Sequence, residues 1–414
     1  MIFGKHVVKL TRGDKVILAN QETGGWTRVS REVFSILEKI LDNHYSIEET
    51  IPAFDSKEDY IFIKEVYDSL IKSNIICDSS YVPDSQPKLA SVQMTNRCNL
   101  KCTHCCVDAG VSTEEVDLST EQMKDIMDKI IVWNPLKVML SGGEPMIRKD
   151  FMEILEYLRK RYVGKIVLST NSLFVNKKNV KKLVEWCDIF EISIDGVDEE
   201  TCAMVRGKGV FNKVCNNIAL LQLNGAVKIN LSMVFSDKNK HLKQRFYDLN
   251  KRLHTTPNCR TFSAVGRGAL NKELFSGNYD EDIYIPSEYL SKDYDKPFGI
   301  SFCSAGKRGI FIGADGTVYP CPSYMTKNFS MGNILSCDKI SELIKKDSDQ
   351  FINDQISKKH PKNLPQCKEC SVRLFCWTCP GELNDIKTHK AFNRRCQMVK
   401  PVLMERVWEK EIRY

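Results

Sequence analysis

The sequence predicts an α/β protein built on a parallel sheet, preceded by a small sheet-and-helix module and followed by a cysteine-rich region. Three observations support this. Between residues 88 and 270, six apolar strand-length runs alternate with helical segments. The first 80 residues hold short strand-like runs followed by two amphipathic stretches. Eight of the 17 cysteines lie beyond residue 300, where the chain is short-looped.

The N-terminal runs HVVKL and KVILAN are separated by the turn TRGD, and GWTRV is a third strand candidate. SREVFSILEKILDNHYSIEE reads as a helix, with Ser30 as N-cap and Val33, Phe34, Ile36, Leu37, Ile40 and Leu41 on one apolar face. DYIFIKEVYDSLIKSNII reads as a second helix. A small sheet with helices defines a winged-helix-like module over residues 1–80, and the prolines of YVPDSQPK mark a linker at 81–87. The six strand candidates that follow are LASVQMT, KVMLSGG, KIVLSTN, IFEISID, KINLSMVF and RTFSAVG. STEQMKDIMDKIIVW is a typical helix between them, with Ser119 and Gln122 forming a capping box. Such repeats make either a doubly wound sheet or an incomplete barrel. In both, function gathers at the C-terminal strand ends. Those ends carry Ser141-Gly142-Gly143-Glu144, Ser169-Thr170-Asn171, and Ser193 with Asp195. In the last region KISELIKK reads as a helix and HPKNLPQ as a loop, and the tail MVKPVLMERVWEKEIRY offers no motif.

Composition narrows the function classes. An apolar share of 42% over 414 residues is ample for real cores. The net charge of +7 is mild, and without a dense Lys/Arg run it argues against nucleic acid as a partner. No apolar run approaches the ~18 residues a membrane span requires, and MIFGKHVVKLTRGDK turns polar too early for a signal peptide. A cytoplasmic location is expected, and in a reducing compartment clustered cysteines point to metal or redox chemistry. The scattered Cys77, Cys106, Cys187, Cys202, Cys215, Cys259 and Cys337 are expected to be small buried hydrophobes.

The sharpest motif is CNLKCTHCC, where Cys98, Cys102 and Cys105 stand in a C-x3-C-x2-C array after the first strand. A structural zinc site wants four closed ligands, so zinc would have to recruit Cys106 or His104. Three thiolates suit a four-iron cluster with one iron left open to a small molecule. The spacing, with SGGEP one strand later, resembles the radical S-adenosylmethionine (SAM) superfamily. That resemblance implies a partial (β/α)6 TIM-like barrel over residues 88–295 and a [4Fe–4S] cluster on Cys98, Cys102 and Cys105. SAM would be cleaved there to a 5′-deoxyadenosyl radical. It implies that Gly142, Gly143 and Glu144 hold the SAM amino group, that Ser169, Asn171, Ser193 and Asp195 serve the ribose and methionyl groups, and that Arg206 pairs with the SAM carboxylate. His104 fills a place that is often aromatic in the family and is expected to pack beside the cluster, not to ligate it.

Beyond residue 300, Cys303 and Cys321 frame Gly316 as C-x12-G-x4-C, and Cys367, Cys370, Cys376 and Cys379 follow as C-x2-C-x5-C-x2-C before Cys396. This resembles the SPASM extension, which binds two auxiliary [4Fe–4S] clusters, giving three clusters in all and an iron–sulfur domain at 296–414. The resemblance assigns Cys367, Cys370, Cys376 and Cys396 to a distal cluster. It leaves Cys303, Cys321 and Cys379 for a nearer one, three thiolates that leave one iron open. A zinc ribbon of Cys367, Cys370, Cys376 and Cys379 is the structural alternative; it strands the other three.

The N-terminal module resembles the peptide-recognition element of ribosomal peptide maturation systems. There a leader peptide adds beside the third strand and against the last helix, here near residues 25–29 and 60–70. Together these resemblances imply a radical SAM/SPASM enzyme that modifies a leader-bearing precursor peptide and takes electrons from a donor such as flavodoxin or ferredoxin. Thioether formation from a substrate cysteine is the first expectation and carbon–carbon or carbon–oxygen crosslinking the rival. A sulfatase-maturing oxidase has no evident need for residues 1–80. The alternative from another class is a zinc-stabilised peptide- or nucleic-acid-binding protein without catalysis.

Overall fold

A computed structural model describes residues 1–82, 87–110, 117–236, 238–275, 299–301, 303–345, 354–358, 363–376 and 388–410. The chain divides into two compact units. One comprises Met1–Ser85, Ile285–Cys303 and Gln355–Tyr414; the other comprises Gln86–Tyr284 and Ser304–Asp354.

In the first unit β1 (Ile2–Phe3) leads into β2 (Val7–Arg12), β3 (Lys15–Asn20) and β4 (Trp26–Ser30). The last three form an antiparallel sheet in the order β2-β3-β4. Gly13 turns β2 into β3 with φ of +58°, a left-handed conformation that costs glycine little. Helix α1 (Arg31–Asp42) starts where Ser30 Oγ accepts the Val33 amide. It stops earlier than the long apolar stretch predicts, because Asn43 closes it on the Lys39 and Leu41 carbonyls and His44 turns left-handed at φ +59°. Helix α2 (Lys57–Lys72) opens on a Ser56 cap and leads to β5 (Ile76–Cys77), which pairs antiparallel with β1. Leu37, Ile40, Leu41, Ile63, Val66, Tyr67 and Leu70 pack on Val16, Leu18 and Val29 to form its core.

The tail, unreadable as a motif, is described as far as Lys410 and packs within this unit. Helix α11 (His389–Met404) ends in a wide turn at Glu405–Glu409. Arg28 Nη1 donates to Val407 O at 2.7 Å and Nη2 to Lys410 O, and Lys15 Nζ donates to Trp408 O at 2.8 Å. Trp408 is buried and donates from Nε1 to Ser371 O. The carbonyls left open at the C-terminal end of the helix are thus met by cations from β3 and β4, as its dipole favours.

The second unit runs β6 (Leu89–Gln93), α3 (Thr120–Trp133), β7 (Lys137–Ser141), α4 (Phe151–Arg161), β8 (Lys165–Thr170), α5 (Val180–Trp186), β9 (Ile189–Ser193), α6 (Glu199–Arg206), α7 (Val210–Leu223), β10 (Ile229–Phe235), α8 (Lys243–Leu253), β11 (Thr256–Thr261) and α9 (Arg267–Leu270). After these come β12 (Gly309–Ile312), β13 (Thr317–Tyr319), β14 (Gly332–Asn333) and α10 (Ile340–Lys345). Strands β6 to β11 pair in parallel as neighbours, which gives the open, partial barrel, with every C-terminal strand end on one edge. The predicted capping box of α3 is present. Two features depart from expectation. A seventh parallel strand, β12, adds beside β6 and carries the β13 and β14 ribbon. The sixth strand lies upstream of RTFSAVG, at TPNCRT. It is a largely exposed edge strand with little apolar signal, whereas Phe262 stacks on Phe275 in the loop beyond. Among the described residues no helix is long and apolar enough to cross a membrane.

Candidate active site and cysteine centres

The site starts from two strand ends laid close together. Gly143 N donates to Thr95 O and Glu144 N to Arg97 O, so the turn after β7 supports the root of the cysteine loop. A Cβ at Gly142, where φ is +143°, would sit 2.6 Å from Thr95 O, and one at Gly143 2.3 Å from Arg97 O. Only glycine permits that approach. The loop root is further fixed by Asp117, which accepts from Thr95 Oγ1 at 2.5 Å and from Arg97 Nε at 2.9 Å.

From this base the loop places Cys98, Cys102 and Cys105 within electrostatic reach of one another, although among the described residues no three such side chains stand in metal-holding geometry. Cys98 and Cys102 are buried and Cys105 is half-buried. The sulfurs act as acceptors: Leu100 N lies 3.4 Å from Cys98 Sγ and Ala109 N 3.3 Å from Cys105 Sγ. Burial pushes the Cys98 thiol up to about 11, and charge on Cys102 and Cys105 adds to the rise. Burial also raises Cys102, opposed by the Arg206 guanidinium. Three thiols on one loop, two of them with a main-chain donor aimed at sulfur, suit a bound iron–sulfur core, whose positive charge favours the thiolate.

A strap from beyond β11 closes the loop from the other side, and sequence reasoning missed it. Arg267 donates from its amide to Cys105 O (2.8 Å), from Nη1 to Cys102 O (3.1 Å) and from Nη2 to Ala109 O, and it pairs with Asp108 at 2.9 Å. Asn271 Nδ2 reaches Thr103 O, and a Cβ on Gly266 would meet Cys106 O at 2.5 Å. The legible signal was the glycine-flanked arginine in VGRGALN.

The residues expected at the next strand ends do gather here. Glu144 is fully buried; Thr170 Oγ1 and the Asn171 amide each donate to it at 2.8 Å, and Met146 N at 3.2 Å. Burial raises its pKa against those donors. Its carboxylate therefore ties β7 to β8. Asn171 Nδ2 donates to Asn99 Oδ1 at 2.8 Å and lies 4.0 Å from Cys98 Sγ. Asp195 is buried between the Arg206 guanidinium, at 2.7 Å from Nε and 2.5 Å from Nη2, and the His104 ring, whose Nε2 lies 2.7 Å away. Burial favours its protonation, but Arg206 and His104 outweigh that and hold the carboxyl far below the usual range. His104 packs near Phe275, with ring centroids 5.9 Å apart. Ser169 and Ser193 are half-buried at the ends of β8 and β9.

In the first unit a second cysteine group forms. Cys367 is raised to about 12 by burial, and Cys376, Cys370 and Cys396 add to the rise, so the four thiols share one electrostatic neighbourhood. Arg395 Nη1 donates to Cys376 Sγ at 3.1 Å and Nη2 to Cys376 O at 2.6 Å. Cys379 lies outside the described residues, and Cys303 and Cys321 belong to different compact units. The scattered cysteines divide: Cys77, Cys187 and Cys202 are buried, Cys215 and Cys337 are half-buried, and Cys106 and Cys259 are exposed, so the expectation of burial fails for the last two. Cys106 ends the cysteine motif and Cys259 lies on the exposed edge strand β11.

Residues 92–244 match the radical SAM superfamily, and residues 303–371 match an iron–sulfur cluster-binding domain, SPASM. Mycofactocin maturase MftC of Mycolicibacterium smegmatis is 30% identical over 263 residues, 59% of this chain and 66% of that protein. The chain thus spans just under two thirds of that curated relative. The structure of anSMEcpe with bound AdoMet superposes with a TM-score of 0.57 at 18% identity, covering 77% of this chain and 98% of that one. Streptococcus suis SuiB bound to S-adenosylmethionine gives 0.54 at 14% identity, covering 92% and 98%. At these identities the likeness is one of fold. Residues 81–414 are only about four-fifths of the sequence. The SuiB match therefore runs into the first 80 residues. These matches place a radical SAM domain and a SPASM iron–sulfur domain in the chain, and such domains imply [4Fe–4S] clusters and SAM as cofactors.

Proposed function

We propose that the protein is a peptide maturase that modifies a leader-bearing ribosomal precursor, with a thioether from a substrate cysteine as the product bond. The observation behind this reading is the convergence of Cys98, Cys102 and Cys105 with the Gly142–Gly143 cradle, Asn171 and the Arg206–Asp195 pair at the strand ends. Those cysteines would hold the first cluster, and when bound, cluster and SAM supply a 5′-deoxyadenosyl radical that removes a hydrogen atom from the peptide. Gly142, Gly143 and Glu144 would position the SAM amino group, with Ser169, Asn171, Ser193 and Asp195 at its ribose and methionyl groups and Arg206 at its carboxylate. Glu144 acts largely through the β7–β8 tie. Closing a thioether removes two hydrogens from the peptide: one would pass to the 5′-deoxyadenosyl radical, and the second would leave as a proton and an electron that an auxiliary cluster would accept. MftC is named a maturase, and SuiB has been solved with its precursor peptide SuiA, which supports a peptide substrate here.

Residues 1–80 would receive the leader as a winged-helix-like module, 81–87 link it, 88–295 generate the radical and 296–414 hold two auxiliary clusters. The position of β4 at the edge of its sheet among the described residues supports strand addition. The test pairs two measurements on one reconstituted sample: iron with acid-labile sulfide, and the mass of a full-length precursor after turnover. A loss of two hydrogens is expected, together with a thiol that no longer alkylates. Deleting residues 1–80 should abolish peptide modification and spare SAM cleavage. Modification at full rate without them would end the leader reading, and a two-hydrogen loss with a free thiol would replace the thioether by a carbon–carbon or carbon–oxygen bond.

A further inference from the structure

Arg395 stands apart from the other side chains near the cysteines. It is 3% exposed, it lies on α11 next to Cys396, and its guanidinium spans the sulfur and the carbonyl of Cys376. A guanidinium keeps its charge at any accessible pH, so it is a fixed cation. Four iron-bound thiolates make the adjoining cluster anionic, and adding an electron increases that negative charge. A buried cation donating an N–H bond to one of the sulfurs therefore favours the reduced state over the oxidised one. Lys400, one turn beyond Cys396, adds a second positive charge felt at Cys367, but it is exposed and screened by salt.

We propose that Arg395 is a positioning residue that holds the reduction potential of the distal cluster up through its bond to Cys376 Sγ. This rests on the assignment of Cys367, Cys370, Cys376 and Cys396 to that cluster. The side chain does two separable things: Nη2 fastens the loop through the Cys376 carbonyl, and Nη1 acts on the sulfur.

The experiment is a potentiometric titration followed by electron paramagnetic resonance. It uses the full chain, reconstituted in a Cys98→Ala/Cys102→Ala/Cys105→Ala background that removes the first cluster's signal. The distal signal is the one lost in Cys370→Ala. If Cys370→Ala loses neither iron nor any signal, the ligand assignment itself fails and the proposal with it. With the assignment in place, Arg395→Gln should shift the oxidised-to-reduced ratio at fixed potential at least tenfold towards oxidised, about 59 mV for one electron. Arg395→Lys, which keeps the charge but not the planar fork, should shift it less. Lys400→Gln should give a smaller shift that fades with added salt. An unmoved potential in Arg395→Gln with iron retained overturns the proposal. Loss of the cluster in both Arg395 variants also overturns it, since the residue would then serve assembly alone.

Discussion

The two cysteine groups are held by different means. Cys98, Cys102 and Cys105 lie within eight residues, on a loop rooted by main-chain bonds to the strand ends and two glycines packed against them, with the Arg267 strap bonding its carbonyls from the other side. Cys367, Cys370, Cys376 and Cys396 come from a loop and a helix, and side chains fasten them: Arg395 on Cys376, Trp408 on Ser371, and the Trp26 ring 4.8 Å from that of Phe375. A main-chain cradle fixes positions to fractions of an ångström but tolerates no added atom. A side-chain frame tolerates truncation and can adjust the charge around the sulfurs.

The largest effect should therefore come from the smallest insertion. Gly143→Ala places a methyl 2.3 Å from Arg97 O and 2.7 Å from the carbonyl carbon behind it, both backbone atoms that cannot swing aside. The strain should cost about 3 kcal/mol, at the upper end of overpacking. Iron analysis should show one cluster's iron missing, isothermal titration should show SAM binding lost, and the distal cluster's signal should be unchanged. Full iron with normal SAM affinity would mean the turn after β7 does not set the loop.

Arg267→Ala should come next. It removes donors to the Cys102 and Ala109 carbonyls, worth about 2 kcal/mol together for a charged donor. The ion pair with Asp108 adds little, because that carboxylate is more than half exposed. Hydrogen exchange across residues 98–110 should quicken, and the first cluster should lose iron to a chelator several-fold faster. Arg267→Lys should recover only part of the protection, since one ammonium cannot span two carbonyls. Equal exchange in wild type and Arg267→Ala would leave the loop dependent on the strand ends alone.

The difference between the two groups also explains what could be read in advance. The alternation of six strands and helices was legible because parallel strands buried on both faces leave apolar runs, and Cys98, Cys102 and Cys105 because their spacing is local. The Arg206–Asp195–His104 contact was half legible: the sequence picked out each residue, but only the fold sets the carboxylate between the guanidinium and the imidazole. Strand β11 was displaced because an exposed edge strand carries no apolar pattern. Arg395 and the tail were invisible as parts of sites, because they act on segments far away in sequence and their own neighbours show no periodicity; for Arg267 only the flanking glycines gave a sign. The two-residue strands β1 and β5 are too short for any pattern.

The mildest change that still separates the two groups is Trp26→Ala. The indole is half-buried, and its edge-on contact with Phe375 stands next in sequence to Cys376. An aromatic pair of this geometry contributes about 1 kcal/mol beyond area burial. The thermal transition of this unit should fall by about 2–4 °C, the usual response of a domain of 150–250 residues to a change of that size. Iron content should be normal at rest, because Arg395 and Trp408 still hold the loop. Iron release from the distal group should nevertheless quicken, because a side-chain frame loses its members one at a time, while release from Cys98, Cys102 and Cys105 should be unchanged. If distal release is also unchanged, the frame consists of α11 and its wide turn, and β4 contributes only to folding. If both groups release iron faster, the cradle around the first loop depends on the N-terminal module too, and the contrast between the two modes of support fails.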